Sequence, residues 1–141
     1  MDRCFRKSKL RYEMKNYFLQ KLSNVPIYKG KLLIIFSNDI HRANKRLNKF
    51  FSEDEEEIFA HAGRSGLNGY KTYVVIINFH SRLGEITHGI ITHESIHAAN
   101  FILDDCDVVP DYDNDEPLTY LAEWITDKIY DFIKQAGFKV N

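Results

Sequence analysis

Cysteine is scarce in this sequence, and neither a long apolar run nor an excess of one charge is present. The two cysteines, Cys4 and Cys106, are too few and too far apart for a disulfide framework or a zinc knuckle, so a reducing compartment fits best. No segment approaches the roughly 18 apolar residues of a membrane span, and residues 1–15 lack the apolar centre of a signal peptide. We therefore expect a cytoplasmic protein, or one released by lysis or packaging.

The charges are nearly balanced, because 19 Lys and Arg residues oppose 20 Asp and Glu residues for a net charge of −1. Such a balance creates no overall field that would favour nucleic acid or an anionic membrane, so we expect neither as a partner. A chain of 141 residues, 44% of them hydrophobic, can bury the core of one compact domain. We expect residues 1–141 to form that domain.

The spacing of the apolar residues predicts a helix, a strand, a helix, a hairpin and two further helices. The turn pair Asn68-Gly69 indicates the hairpin, because a segment rich in β-branched and aromatic residues follows it. Gly137 is well placed to end the last helix. The elements are expected, in this order, at residues 10–22, 32–36, 40–51, 58–79, 84–103 and 116–136. Their order predicts an α+β fold with a small mixed or antiparallel sheet.

Residues 93–97 read His-Glu-Ser-Ile-His, the H-E-x-x-H pattern, within the helix expected at 84–103. Side chains at i and i+4 share one helix face, so the imidazoles of His93 and His97 converge, while Glu94 is rotated by about 100°. Two neutral imidazoles can hold Zn²⁺, and the adjacent carboxylate can take a proton from the water that the metal activates. The alternative is a helix with two hydrogen-bonded histidines and no metal. We favour it less, because burying these polar groups in an apolar helix without a metal is costly.

A hydrolytic zinc site needs a third protein ligand, and no histidine follows His97. The main candidates are Glu116, which 18 residues separate from His97, and Glu123 further along the last helix. Glu123 is expected opposite the apolar stripe of that helix, on the usual solvated face. Pro117 places Glu116 at the helix entrance, where its side chain can point independently of the stripe, so we favour Glu116. The remaining candidates are Asp104, Asp115 and Cys106.

With the H-E-x-x-H motif and a glutamate at this distance on a second helix, the sequence resembles the gluzincin-type zincin metallopeptidases. It is similar to minigluzincins and to small H-E-x-x-H peptidases encoded by phages and prophages, over roughly residues 70–133. The resemblance implies a zincin-like fold, in which a small sheet packs on the H-E-x-x-H helix and on a C-terminal glutamate helix. It also implies Zn²⁺ as the cofactor, with His93, His97 and Glu116 as ligands and Glu94 as the catalytic base.

Tyr120 departs from the pattern of thermolysin-like gluzincins, which have an acidic residue one turn after the glutamate ligand. This tyrosine could orient a ligand or donate a hydrogen bond to the oxyanion of the reaction. Its other interpretation is an amphipathic tyrosine at the surface.

We therefore expect zinc-dependent hydrolysis of peptide bonds in a peptide or protein substrate, with the strand at 73–79 pairing with that substrate. One alternative is a non-catalytic zincin-fold protein, such as a binding or virion component of a phage in which the metal is structural. Another is hydrolysis of a peptide cross-link in a cell wall. Zinc content measured together with peptidase activity separates these hypotheses, because a structural site binds zinc without turnover.

Overall fold

A four-stranded sheet forms the centre of the computed structural model, which describes residues 15–69 and 71–141. The strands are β1 (Phe18–Asn24), β2 (Lys31–Ser37), β3 (Ala60–Ser65) and β4 (Thr72–Ile77), and the helices are α1 (Ile40–Leu47), α2 (His88–Asp105) and α3 (Glu116–Ala136). Within these two described ranges, no helix is long and apolar enough to cross a membrane. The fold is α+β with a mixed sheet, as the sequence predicts.

The strand order in the sheet is β1-β2-β4-β3. β2 and β4 run parallel, while β1 pairs antiparallel with β2 and β3 pairs antiparallel with β4. β4 therefore has a neighbour on each side, which leaves it no free edge for a substrate. The prediction that the strand at 73–79 pairs with a substrate is wrong for this reason, and the sheet edges belong to β1 and β3.

The two faces of the sheet bury different helices. Side chains alternate along β2 and β4, so Leu33 and Val74 face α1, whereas Leu32 and Val75 face α2 and α3. All of β4 and all but the first residue of β2 are buried, as is typical of parallel strands covered on both faces. The H-E-x-x-H helix and the glutamate helix thus lie side by side on one face.

The helix predicted at 10–22 is wrong where the structure describes it. Residues 18–22 belong to β1, which pairs with β2 from Phe18 opposite Ser37 to Asn24 opposite Lys31. Helical spacing of a few apolar residues is a weak preference, and pairing with the long buried strand β2 overrides it. The first part of that predicted helix, up to residue 14, lies outside the described residues.

The predicted strand at 32–36, the helix that follows it and the hairpin are confirmed as β2, α1 and the β3–β4 pair. α1 begins after Asp39, whose carboxylate accepts a hydrogen bond from the Arg42 backbone N–H at 3.1 Å. It ends before the predicted limit of 51, because Asn48 and Lys49 adopt left-handed conformations with φ of 55° and 64°.

The two C-terminal helices are confirmed with small changes in their limits. α2 begins at His88 rather than at 84, because the Thr87 hydroxyl accepts a hydrogen bond from the Ile90 N–H at 3.2 Å and caps the helix there. α3 spans the predicted residues 116–136 and ends at Gly137, whose φ of 79° and N–H bond to the Ile133 carbonyl form the expected C-cap.

Candidate metal centre

α2 presents His93 and His97 on its exposed face. The opposite face is an apolar stripe that packs against the sheet and α3, and Ile91, Ala98 and Ile102 belong to it. Because an α-helix repeats every 3.6 residues, the stripe fixes the rotation of α2 and turns the residues at 93 and 97 towards solvent. Both predicted histidine ligands are therefore accessible from outside the protein, so the cost of burying them, which favoured a metal over two hydrogen-bonded histidines, does not apply to the imidazoles.

The two imidazoles converge as the i, i+4 spacing predicts. Their Nε2 atoms are 3.0 Å apart, and the ring planes are inclined by 74° with centroids 4.6 Å apart. Two nitrogens at roughly 2.0–2.1 Å from a tetrahedral zinc ion lie about 3.3 Å from each other, so the observed separation is close to that of two ligands of one metal. The same separation also suits an N–H···N hydrogen bond between two neutral rings.

Glu94 lies on the side of α2 that faces the core. Its side chain is only 8% exposed, and it is the only buried carboxylate among the described residues. The neighbouring Ser95 is fully buried, and its hydroxyl donates to the Ile91 carbonyl at 2.7 Å. Glu94 thus lies off the line that joins the two imidazoles, as its rotation of about 100° around the helix predicts.

The glutamate candidates lie on the exposed face of α3. Glu116, Tyr120 and Glu123 are all exposed, while the stripe that contains Leu121 and Ile125 is fully buried on the opposite face. No group of three His, Cys, Asp or Glu residues that could hold a metal occurs within residues 15–69 and 71–141. The structure thus brings together two of the three predicted ligands, and Glu116 as the third stays a prediction.

The other candidates for the third ligand have different surroundings. Asp104 forms an ion pair with Arg64, with 2.6 Å between Nη2 and Oδ2. Cys106 is half-buried at the C-cap of α2, where its backbone N–H contacts the Leu103 carbonyl at 3.1 Å. Asp115 is the N-cap residue of α3, and its side chain makes no capping hydrogen bond. None of these three is grouped with the histidine pair in the described part of the chain.

No protein-family model, curated protein or solved structure matches this chain. The resemblance to gluzincins rests on the H-E-x-x-H motif at 93–97 and on the spacing of Glu116. The fold is established as far as an α+β arrangement with a mixed sheet.

A cavity of about 510 Å³ begins about one turn beyond His97 on α2, and sequence reasoning missed it. It extends from Asn100 and Phe101 on α2 to residues 107–110 after the helix, with Arg64 of β3 at its side. The Phe101 ring stacks beside His97, with centroids 6.5 Å apart and planes inclined by 20°. No local pattern marks Arg64 in the sequence, because its position depends on the packing of β3 against α2.

Arg64 connects β3 to the end of α2. Its guanidinium lies over the Phe101 ring at 4.6 Å and contacts the Asp104 and Asp105 carboxylates at 2.6 and 3.2 Å. Partial burial opposes the charged form, but hydrogen bonds and charge attraction from both carboxylates outweigh it and raise the pKa of Arg64. The Tyr73 hydroxyl donates to Asp105 at 2.8 Å, so β4 also holds this end of α2.

Proposed function

We propose that this chain is a zinc-dependent peptidase with a zincin-like fold, in which His93 and His97 hold the metal. The observation that carries the proposal is the 3.0 Å separation of two Nε2 atoms on the exposed face of α2. Exposure of the pair leaves room for water and substrate on the side away from the helix. The adjacent buried carboxylate of Glu94 adds the acid–base group that hydrolysis requires.

Glu94 is the proposed general base. A bound zinc ion supplies a Lewis acid that polarises the scissile carbonyl and lowers the pKa of water. The Glu94 carboxylate accepts the proton that water loses during attack and donates it to the leaving amine. Because Glu94 is buried on the core side of α2, the proposed transfer requires its carboxylate to reach towards the exposed side on which the two histidines lie.

Glu116 is the proposed third ligand, and Tyr120 the proposed donor to the oxyanion. The two residues are one turn apart on the exposed face of α3. Because Glu116 is the first residue of the helix, a small change in the first turn moves its side chain more easily than that of Glu123 in the helix interior. Metal binding supplies free energy for such an adjustment.

The substrate is a peptide that pairs with β3. This strand is an edge of the sheet, so one side of its backbone has no strand partner within residues 15–69 and 71–141. β3 also packs against α2, the helix that carries the histidine pair. An extended peptide added to this edge would run past the exposed face of α2.

Replacing Glu94 by Gln tests the mechanism, because this substitution keeps size and polarity but removes the base. We expect zinc content and thermal stability near wild type, while hydrolysis of an accepted fluorogenic peptide falls by at least about 10²-fold. Zinc content would be measured by mass spectrometry and cleavage by fluorescence. An undiminished rate would exclude Glu94 as the base, and loss of zinc would make it a ligand.

The candidate metal ligands are exposed to solvent, and this exposure favours a second function. The chain would then be a binding or structural protein with a metal at the histidine pair. His93 and His97 lie on an exposed helix face, and Glu116 lies on the exposed face of the neighbouring helix. A metal bound there could bridge to a partner rather than act on a substrate. Stoichiometric zinc without cleavage in a screen of mixed peptide substrates would favour this second function.

A further inference from the structure

The cavity that begins about one turn beyond His97 on α2 has the size of a side-chain or small-ligand site. Its volume of about 510 Å³ falls within the roughly 300–1,000 Å³ of typical ligand pockets. Part of its lining is apolar, formed by Phe101, Val108, Val109 and Pro110. Since Phe101 also stacks beside His97, the cavity begins one helical turn from the proposed metal site.

The charged groups of this cavity are predominantly acidic. Asp104 and Asp107 line it, and Asp105 lies beside Arg64, the one cationic residue among the lining residues that the structure describes. Arg64 already contacts both Asp104 and Asp105, so its charge is compensated within the protein. The ion pairs at this end of α2 are those of Arg64, and Asp107 has none among the described residues.

The position of these aspartates on the helix is unfavourable without a cation. The C-terminal end of a helix carries a partial negative charge, which favours Lys, Arg or His in the last turn. The last turn of α2 contains no basic residue and instead ends with Asp104 and Asp105, followed closely by Asp107. Arg64 compensates Asp104 and Asp105, so Asp107 is the aspartate of the three that has no ion pair within the described part of the chain.

We propose that this cavity binds a lysine or arginine side chain of the peptide, next to the bond that is cleaved. This inference rests on the proposed peptidase function and names the substrate class. The aliphatic stem of the side chain packs on Phe101 and the two valines, and its cationic head reaches Asp107. A peptide on the edge of β3 places successive side chains on alternate faces, so one near His97 can enter the cavity.

A metal ion and an acidic side chain fit this cavity less well. No group of three acidic or histidine side chains in the described ranges is arranged to hold a metal ion, so the aspartates do not form a cation cage. An acidic side chain would meet Asp104 and Asp107 and would have to displace Asp104 from Arg64. A lysine or arginine side chain matches both the acidic charge of the cavity and its apolar lining.

Binding of short peptides to the zinc-loaded full chain tests the inference. The peptides are identical labelled hexapeptides with one central Lys, Arg, norleucine or Glu, and dissociation constants are measured by fluorescence anisotropy. We expect Lys and Arg to bind about three- to tenfold more tightly than norleucine, with Glu weakest. The preference should decrease as the salt concentration rises, because the cavity is open to solvent.

Two substitutions should change this preference in opposite directions. Asp107→Asn removes a charge, and Asn tolerates the left-handed backbone at φ 56°, so we expect the Lys-to-norleucine ratio to fall towards one. Arg64→Gln releases Asp104 and Asp105, so the ratio should increase. Asp131→Asn, an equal change of charge on the exposed side of α3, is the matched control and should leave the ratio unchanged.

Norleucine or Glu binding as tightly as Lys would overturn the inference, as would an absence of peptide binding or an unchanged ratio in Asp107→Asn. The same peptides are then incubated with the zinc-loaded protein to measure cleavage. A Lys preference in binding without any cleavage would contradict the peptidase proposal and support the cavity assignment. Cleavage without a preference for Lys would support the peptidase proposal and contradict the cavity assignment.

Discussion

Each histidine of the pair supplies one nitrogen to the proposed zinc site, so losing either leaves too few ligands. We expect about one zinc ion per wild-type chain, and a loss of at least about 100-fold in zinc affinity for His93→Ala or His97→Ala. The measurement is zinc content by mass spectrometry after dialysis, with affinity by competition against a chelating dye. The 3.0 Å distance between the Nε2 atoms gives both histidines the same expected effect.

His41→Ala is the control for the histidine pair, because His41 is an exposed residue of α1 on the opposite face of the sheet. This variant should retain the zinc content of the wild type. Stoichiometric zinc in a protein that lacks both His93 and His97 would show that the metal does not bind on α2.

Glu116 and Glu123 share the exposed face of α3, which makes them a matched pair for identifying the third ligand. We expect Glu116→Ala to weaken zinc binding by about 10-fold or more, and Glu123→Ala to change it by less than about twofold. The physical reason is that a residue at the helix entrance can reorient more freely than one in the helix interior. Equal or reversed affinities in the dye competition would transfer the role to Glu123.

At the scale of elements, the sequence predicts the strands and helices whose apolar residues follow a clear pattern, either a continuous run or a repeat of 3.6 residues. The apolar run of β2 and the 3.6-residue stripes of α1, α2 and α3 correspond to faces that are buried in the structure. β1 was mistaken for a helix because it is a half-exposed edge strand, whose few apolar residues carry no strict alternation. Its conformation depends on β2, which lies further along the chain.

Part of the candidate site depends on residues that are close in sequence, and part depends on residues that are distant in sequence. His93, Glu94 and His97 could be predicted, because five residues on one helix determine their relative directions. The cavity beside them could not, because Arg64 reaches α2 only after β3 is added to the sheet. The identity of the third ligand depends on how close the first turn of α3 lies to the histidines of α2. The pattern of apolar residues within each helix does not determine that distance.

The end of α3 gives a direct test of backbone conformation at the scale of one element. Gly137 has a φ of 79°, and a Cβ added there would meet no atom of the described residues within 4 Å, so Ala would be strained without a steric clash with them. We expect Gly137→Ala to lower the free energy of unfolding by about 1 kcal/mol, measured by urea denaturation.

Gly66→Ala is the matched control for this helix end. A Cβ added at Gly66 would also meet nothing within 4 Å in the part of the chain that the structure describes, but the φ of this residue lies outside the left-handed region. Its substitution should change the free energy of unfolding by less than about half as much. Equal losses in the two variants would show that the left-handed conformation of Gly137 is not the cause.

At the scale of the whole molecule, Tyr17 joins parts of the chain that are distant in sequence. Its hydroxyl accepts a hydrogen bond from the Phe79 N–H at 3.0 Å and donates to Asn78 Oδ1 at 3.2 Å, just after β4. Its carbonyl accepts from the Ser37 hydroxyl at 2.7 Å, at the end of β2. Its ring contacts Phe138 beyond α3, with centroids 5.6 Å apart. This one residue therefore connects the start of β1 with the ends of two central strands and with the C-terminal segment.

Stability at alkaline pH should depend on Tyr17, because burial raises the pKa of its hydroxyl to about 12, although the Phe79 N–H opposes this. An unfolded tyrosine ionises near its ordinary pKa of about 10, so above that pH the unfolded state loses a proton that the folded state keeps. The stabilisation is complete below about pH 10 and is lost as pH rises towards 12. We expect the free energy of unfolding, measured by urea denaturation at about pH 9 and about pH 11, to fall less in Tyr17→Phe than in the wild type.

Some alkaline loss should persist in Tyr17→Phe, since burial also raises the pKa of Tyr73 and of Tyr130. Tyr112 provides the control, because it is fully exposed and Tyr112→Phe also removes one tyrosine hydroxyl from the chain. That variant should follow the wild type at both pH values. If Tyr17→Phe and Tyr112→Phe declined equally between about pH 9 and about pH 11, the hydroxyl of Tyr17 would titrate alike in the folded and unfolded chain, and its contacts with β4 would not distinguish the two states.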